Sequence, residues 1–174
     1  DLSKDEFVKE VTDGLTPPPA YFPMHVKMNK AGYDSIDELL DRGTQALSPA
    51  AFEAAANETG ALVLDTRKPT DFVKAFVPNR IFIGIDGGFG RWVGTMIPDI
   101  NQTILIVADE GREEEVVTRL ARVGYDHAIG FLKGGIDAWK ASGNDVDSIN
   151  SITPETFATA YNEGGIDVVD VRKC

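Results

Sequence analysis

Asp65 and Arg67 form the first pair of residues whose types and spacing could do chemistry. They follow a short apolar run, residues 61–64, and side chains two positions apart on a strand project to the same side. A guanidinium group at a strand end can bind an anion, or it can pair with the neighbouring carboxylate. Because buried charged residues are usually paired, the sequence favours a structural ion pair over an anion-binding site.

A second group of charged residues directly follows the most apolar segment of the chain, residues 103–108. Arg112 could attract a small anion to a helix start, or it could pair on the surface with the acidic residues after it. A third hypothesis makes Asp109 a nucleophile, but like charges crowd around it and no general base is evident. The residues of this loop are Asp109, Glu110, Gly111, Arg112 and Glu113.

Thiol and metal chemistry have little support in the sequence. The single cysteine is Cys174, so the chain can form neither an intrachain disulfide nor a four-thiolate zinc site. The two histidines, His25 and His127, lie far apart and lack the spacing of metal ligands. The sequence therefore predicts no metal site and no cofactor in this chain.

Short apolar runs alternate with helical patterns along the chain. This alternation predicts an α/β fold in which helices flank a parallel sheet, with residues 103–108 as its central strand. No strand is predicted before residue 60. Strands are predicted over residues 61–64, 80–85, 103–108 and 127–131, and helices over residues 3–14, 35–40, 48–60, 71–76, 91–96, 113–123 and 136–141.

The charge balance restricts the partners of the protein. The chain has 28 acidic and 17 basic residues, which gives a formal net charge of −11. Nucleic acids and anionic membranes attract clustered Lys and Arg, so neither is an expected partner. No apolar run reaches the roughly 18 residues of a membrane span, and the acidic start is unlike a signal peptide. The sequence favours a cytoplasmic protein.

The chain contains an internal repeat. Residues 47–69 align without a gap with residues 152–174, and ten of the 23 positions are identical. The identities include the helix start, the glycine after the helix and the Asp-x-Arg at the strand end. We expect a second copy of the same unit to begin near Thr153, with only its first helix and strand present. We also expect residues 152–171 to pack on the first unit or to pair with another molecule.

The unit between residues 48 and 143 resembles the rhodanese family of sulfurtransferase-like domains. The strand end Val-Leu-Asp-Thr-Arg at residues 63–67, followed by Asp71 and Phe72, is similar to the family's Asp-x-Arg and its acidic-aromatic pair. A closing Gly-Gly-x-x-x-Trp ends at Trp139. The resemblance implies a rhodanese-like parallel sheet flanked by helices, with an N-terminal helical tail and a truncated second repeat.

The loop after the predicted central strand departs from the family pattern. An active rhodanese carries Cys-x-x-Gly-x-Arg there, with backbone N–H groups facing the sulfur-bearing anion. Alignment on Gly111 puts Ala108 at the cysteine position and Glu113 at the arginine position. A methyl group cannot be a nucleophile, and a glutamate repels an anion. An alternative register puts Asp109 at the cysteine position, which gives no thiolate either.

The resemblance thus implies a degenerate active-site loop, residues 108–113, with no catalytic residue. Two guanidinium groups, those of Arg67 and Arg112, stay as candidates for binding an anion near this loop. The alternative to a catalytically inactive domain is therefore a small-anion-binding regulatory domain that uses the loop after Ala108.

Residues 14–22, Gly-Leu-Thr-Pro-Pro-Pro-Ala-Tyr-Phe, resemble the closing stretch of metallo-β-lactamase-fold hydrolases of the persulfide-dioxygenase and glyoxalase-II-like group. In some of those proteins two rhodanese domains follow the metal domain. The resemblance implies a zinc- or iron-dependent parent enzyme, but it transfers no metal ligand to this chain. It implies three segments: residues 1–45 as the tail and linker of the metal domain, residues 46–144 as an inactive rhodanese-like domain, and residues 145–174 as the truncated start of a second one.

The predicted function is a non-catalytic scaffold or docking domain of a larger sulfur-metabolism or thioester-hydrolase enzyme. Its expected partners are the adjacent metallo-β-lactamase-like domain and the second rhodanese-like domain. A homo-oligomer is a further expectation, because an apolar strand without a sheet invites pairing between copies.

Overall fold

The computed structural model of the chain describes residues 2–14 and 35–171. The proline-rich connector and Cys174, which the sequence analysis singled out, lie outside the described residues. The first helix, α1 (Lys4–Thr12), begins at a capping box in which Ser3 and Glu6 each accept a hydrogen bond from the other's backbone N–H. No residue of α1 is buried.

Five strands form one parallel sheet in the order β1-β5-β4-β2-β3. The predicted α/β fold and the central position of the most apolar strand are therefore confirmed. The strands are β1 (Ala46–Leu47), β2 (Leu62–Asp65), β3 (Arg80–Phe82), β4 (Ile104–Val107) and β5 (Ala128–Leu132).

Helices cover both faces of this sheet. One face packs against α2, α5 and α6, and the other packs against α3 and α7. The short α4 follows β2, and α8 lies beyond the sheet unit in sequence. The helices after α1 are α2 (Ile36–Gly43), α3 (Pro49–Thr59), α4 (Pro69–Phe72), α5 (Phe89–Met96), α6 (Glu113–Ala121), α7 (Gly135–Ala141) and α8 (Pro154–Glu163).

The central strand β4 is buried on both faces, and this burial explains why its sequence is a continuous apolar run. Ile104 and Ile106 contact the core under α5 and α6, whereas Leu105 and Val107 contact the core under α3 and α7. All four side chains are fully buried. A strand covered on both faces needs apolar residues at every position, so no polar alternation appears.

At the start of the sheet unit, the sequence missed one strand and placed the end of one helix too early. The strand β1 has only two residues, too few for an alternation to be visible, and it pairs with β5 at the sheet edge. Helix α2 extends three residues beyond its predicted end, and it packs on α6 with Leu39 buried. Helix α2 therefore packs with the unit that the sequence predicted to begin at residue 46.

Gly43 allows α2 to approach α6 closely, and this contact supports a first prediction. A Cβ atom at Gly43 would lie 2.7 and 2.8 Å from the two methyl carbons of Val117. We expect Gly43→Ala to lower the free energy of unfolding by about 1–3 kcal/mol, as overpacking does in cores. Urea denaturation measures this change. In the double variant with Gly43→Ala and Val117→Ala, the loss of unfolding free energy should be smaller than the sum of the two single losses. Stabilisation by Gly43→Ala, which helix propensity alone would give, would contradict the packed position of α2.

The second copy of the repeat is only partly formed. Helix α8 begins as predicted, with the Thr153 hydroxyl accepting a hydrogen bond from the Thr156 N–H at 3.2 Å. No strand forms over residues 166–171, and α8 has no buried residue. Its Phe157 and Tyr161 are 39% and 61% exposed. Of the two expected fates of this segment, packing on the first unit is not observed, and pairing with another molecule stays a prediction.

Candidate functional site

A cavity of about 600 Å³ lies where the carboxyl ends of β2, β4 and β5 meet. In parallel sheets this edge is where the loops converge and where ligands usually bind. The loop of residues 108–113 contributes most of its residues to the wall of this cavity. Arg67 comes to the same cavity from the end of β2, and residues 131–137 close it from the end of β5.

Asp65 and Arg67 form a buried ion pair at the end of β2. The exposed fractions of the two residues are 0% and 5%. The Arg67 Nη2 donates to Asp65 Oδ2 at 2.6 Å, and Nε donates to Oδ1 at 3.0 Å. The Arg67 backbone N–H also donates to Asp65 Oδ1, at 3.1 Å. The Asp65 carboxylate thus receives its hydrogen bonds from Arg67, two residues along the chain, as a buried charge requires.

The same guanidinium group fixes the segment after α4. Arg67 Nη2 donates to the carbonyl oxygen of Ala75 at 2.9 Å. The Nε and Nη2 donors of Arg67 are therefore directed to Asp65 and to the backbone, which is the structural role that the sequence favoured. An anion in the cavity would have to compete with a carboxylate that is already bound.

The loop of residues 108–113 forms a tight turn at the end of β4. The Arg112 N–H donates to the Asp109 carbonyl at 3.1 Å, and α6 begins at the next residue, Glu113. Gly111, the third residue of this turn, has φ of +81°, a conformation that favours glycine. Ala108, at the cysteine position of the resemblance, is half-buried and packs against the core under α5 and α6.

Arg112 lies outside the cavity wall and forms salt bridges on the adjacent surface. Its Nη2 and Nη1 donate to the two carboxylate oxygens of Asp86 at 2.8 and 3.0 Å, and its Nε donates to Glu115 at 2.9 Å. The hydrogen bonds from Arg112 hold the pKa of Asp86 below its usual range. Hydrogen bonds to Asp86 and Glu115 raise the pKa of Arg112. Arg112 therefore forms surface ion pairs, which was the simpler of its two interpretations. Its bidentate partner, however, is Asp86 and not one of the acidic residues that follow it.

The cavity wall is acidic. Its cationic side chains are Arg67, which is paired with Asp65, and Lys133, which is exposed. This arrangement disfavours a small anion, because each carboxylate repels it and few donors are left to stabilise it. The carboxylates that line the cavity are Asp71, Asp109, Glu110, Glu113 and Asp137.

The sequence predicted seven candidate residues in one site, and the structure brings six of them together. Arg67 and five loop residues line the cavity or its entrance, whereas Arg112 faces away. The sequence missed Lys133 and Asp137, which follow β5. Their position directly after a strand that neighbours β4 could have indicated them, since the carboxyl ends of parallel strands meet at one edge.

Among the described residues, no group of three or more His, Cys, Asp or Glu side chains could hold a metal ion.

None of the described helices is both long and apolar enough to cross a lipid bilayer. The longest helix of the sheet unit, α3, has 11 residues.

Comparison with known proteins gives the same fold. The chain is similar to the solution NMR structure of a rhodanese-like domain from Anabaena sp., with 21% identity over 75% of this chain and 94% of that one and a TM-score of 0.49. It is also similar to a metallo-β-lactamase from Staphylococcus aureus subsp. aureus COL, with 18% identity over 76% of this chain, 36% of that one and a TM-score of 0.57. These low identities concern the fold alone. No curated protein matches the chain.

The family model for rhodanese-like domains matches residues 48–142. That range is more than half of the chain, and it contains β2 to β5, the buried Asp65–Arg67 pair and the loop of residues 108–113. The predicted resemblance of residues 48–143 is thereby confirmed at the level of the family. The chain belongs to the family of rhodanese-like domains.

Proposed function

We propose that the rhodanese-like unit of this chain is catalytically silent and serves as a scaffold and docking domain of a larger enzyme. The observation that carries this proposal is the composition of the cavity at the end of β4. In the alignment on Gly111, Ala108 falls at the cysteine position and Glu113 at the position of the family's arginine, and both line the cavity together with Asp109 and Glu110.

Sulfur transfer needs a thiolate that this cavity does not supply. In the reaction with thiosulfate, the thiolate attacks the outer sulfur, the S–S bond breaks and sulfite leaves with the bonding electron pair. Cyanide then takes the outer sulfur of the enzyme persulfide as thiocyanate, and the thiolate is regenerated. Ala108 cannot form the persulfide, and Asp109, Glu110 and Glu113 repel the dianionic substrate.

The larger enzyme that we propose is a fusion of a metallo-β-lactamase-fold domain with rhodanese-like domains. The resemblance of residues 14–22 supports this proposal, and so does the fold likeness to the Staphylococcus aureus metallo-β-lactamase over 76% of the chain. In such a fusion the zinc or iron would belong to the metal domain, not to the described residues. The repeat of residues 47–69 at 152–174 supports a second rhodanese-like unit as the other partner.

An activity assay with a matched thiol variant tests the silent domain, and it is our second prediction. We expect no thiocyanate release from thiosulfate and cyanide above the uncatalysed rate, for the wild-type chain and for Cys174→Ser alike. Titration calorimetry with sulfate, thiosulfate and phosphate should show no binding at the cavity, because its donors are engaged or outnumbered by carboxylates. Turnover that survives Cys174→Ser would contradict the silent domain. A saturable anion site that Lys133→Ala abolishes would favour the regulatory alternative instead.

A further inference from the structure

An apolar groove of about 410 Å³ lies between β3 and α5 and has Arg67 in common with the acidic cavity. This volume is typical of small-molecule sites. The apolar lining of the groove includes Pro69 and Phe82 and, from α5, Trp92 and Met96. Trp92 and Met96 are 57% and 48% exposed, and large apolar side chains that are exposed together mark binding surfaces. We call this feature the β3 groove.

A stack of three phenylalanine rings ends at the β3 groove. Phe72 is the middle ring, and its centroid lies 4.5 Å from that of Phe76 and 4.2 Å from that of Phe82. Phe72 and Phe76 are buried, whereas Phe82 is half-buried and lines the groove. A flat ring in the groove would add a fourth member to this stack, and Trp92 offers it a second aromatic surface. The groove therefore favours an aromatic ligand over a branched aliphatic one.

Two glycines leave space beside the aromatic side chains of the groove. A Cβ atom at Gly84 would lie 3.5 Å from Cζ of Phe82, and one at Gly88 would lie 3.6 Å from Cδ1 of Trp92. Both distances are ordinary van der Waals contacts, so a side chain at either position would fill part of the groove. Neither glycine has a positive φ, so the backbone conformation does not require glycine there. What the two glycines provide is open space against the two rings.

Lys68 gives the β3 groove a positive charge. It lines the groove, is exposed and forms no salt bridge with any described residue. Asp86 lines the groove too, but both of its carboxylate oxygens accept hydrogen bonds from Arg112, at 2.8 and 3.0 Å. Arg112, and to a smaller extent the charge of Lys68, lower the pKa of Asp86. Arg67 is paired with Asp65. The two carboxylates of this region are thus balanced by two guanidinium groups, and the charge of Lys68 favours a ligand with one negative charge.

We propose that the β3 groove binds a small aromatic carboxylate, with its ring against Phe82 and Trp92 and its carboxylate paired with Lys68. An inorganic anion would gain only an exposed ion pair, which is weak. A neutral aromatic molecule would gain the ring contacts without the ion pair. Both parts of the ligand are therefore needed for selective binding. This proposal goes beyond the proposed function, because it uses neither the carboxylates of the acidic cavity nor the loop of residues 108–113.

Titration calorimetry of the 174-residue chain with 2-naphthoate tests this site, and it is our third prediction. We expect one saturable site with a dissociation constant of about 1 mM or lower, as usual ligand efficiencies give for a molecule of this size. Lys68→Met should raise the dissociation constant about fivefold, the contribution of an exposed ion pair. Naphthalene-2-carboxamide has the same ring without the charge, and it should bind the wild-type chain and Lys68→Met equally. Lys140→Met removes an exposed lysine from the end of α7, and it should leave the affinity for 2-naphthoate unchanged.

Two further variants locate the ring in the groove. Trp92→Ala should raise the dissociation constant about tenfold through the lost aromatic contact, and Gly84→Leu should abolish binding because its side chain fills the groove. Thermal unfolding shows whether each variant is folded. Tyr161→Ala removes a similarly exposed aromatic side chain from α8, and it should change nothing.

Three results would overturn the proposal: no saturable binding, equal affinities of the wild-type chain for 2-naphthoate and its carboxamide, or equal effects of Trp92→Ala and Tyr161→Ala. Self-association of the chain that Trp92→Ala abolishes would also overturn it, because the groove would then be a contact with a second copy.

Discussion

Arg67→Met should lower the free energy of unfolding by about 3–5 kcal/mol, the usual cost of leaving one partner of a buried ion pair alone. Asp65 is fully buried, and Arg67 supplies two of the side-chain donors that its carboxylate receives. Methionine fills a similar volume, so most of the loss comes from the unpaired carboxylate. The Ala75 carbonyl loses a donor in the same change. Urea denaturation of the two proteins measures the difference.

A matched change at a second arginine separates burial from charge. Arg112→Met also removes a guanidinium that binds a carboxylate in two hydrogen bonds, but the Asp86 side chain is 61% exposed and stays hydrated. We therefore expect Arg112→Met to change the unfolding free energy far less than Arg67→Met. The double change Asp65→Leu and Arg67→Met should recover much of the loss, because it removes the orphaned charge. Equal costs for the two arginine changes would contradict a structural role for the buried pair.

The sequence predicted those parts of the fold in which local signals and packing agree. The continuous apolar run of residues 103–108 predicts a strand covered on both faces, and β4 is that strand. Ser48, Pro49 and Gly60 mark the limits of α3, because a capping hydroxyl, a proline and a glycine each fit one position at a helix end. The pairing of Asp65 with Arg67 follows from their spacing on one strand.

The parts that the sequence could not predict depend on contacts between distant residues. Strand β1 exists because Ala46 and Leu47 meet the edge of β5, and two residues carry no periodicity of their own. The partner of Arg112 is Asp86, 26 positions away, so the nearby glutamates suggested only part of its pairing. Residues 166–171 have the sequence of a strand but no adjacent strand in the described residues. Propensity alone does not make a strand without a neighbouring strand.

Restoring the thiol alone should not restore sulfur transfer, and this is our last prediction. Ala108→Cys, in a Cys174→Ser background, should give little thiocyanate release, because the new thiolate would lie among Asp109, Glu110 and Glu113. These carboxylates disfavour both the thiolate and the approach of thiosulfate. Mass spectrometry after incubation with thiosulfate shows whether the protein gains one sulfur atom, independently of turnover.

Glu113→Arg added to Ala108→Cys should raise the turnover roughly ten- to hundredfold, less than the 10²–10³ of a preorganised donor because other carboxylates stay in the cavity. The control is Glu114→Arg in the same background. It makes the same charge change one residue further along α6, on an exposed side chain outside the cavity wall. If the overall charge decided the rate, the two arginine variants would be equally active. Only the position of the charge distinguishes them, so a clear advantage of Glu113→Arg would place the anion beside residue 108. Equal rates for both variants would contradict a specific place for residue 113 beside the anion, which the loop register implies.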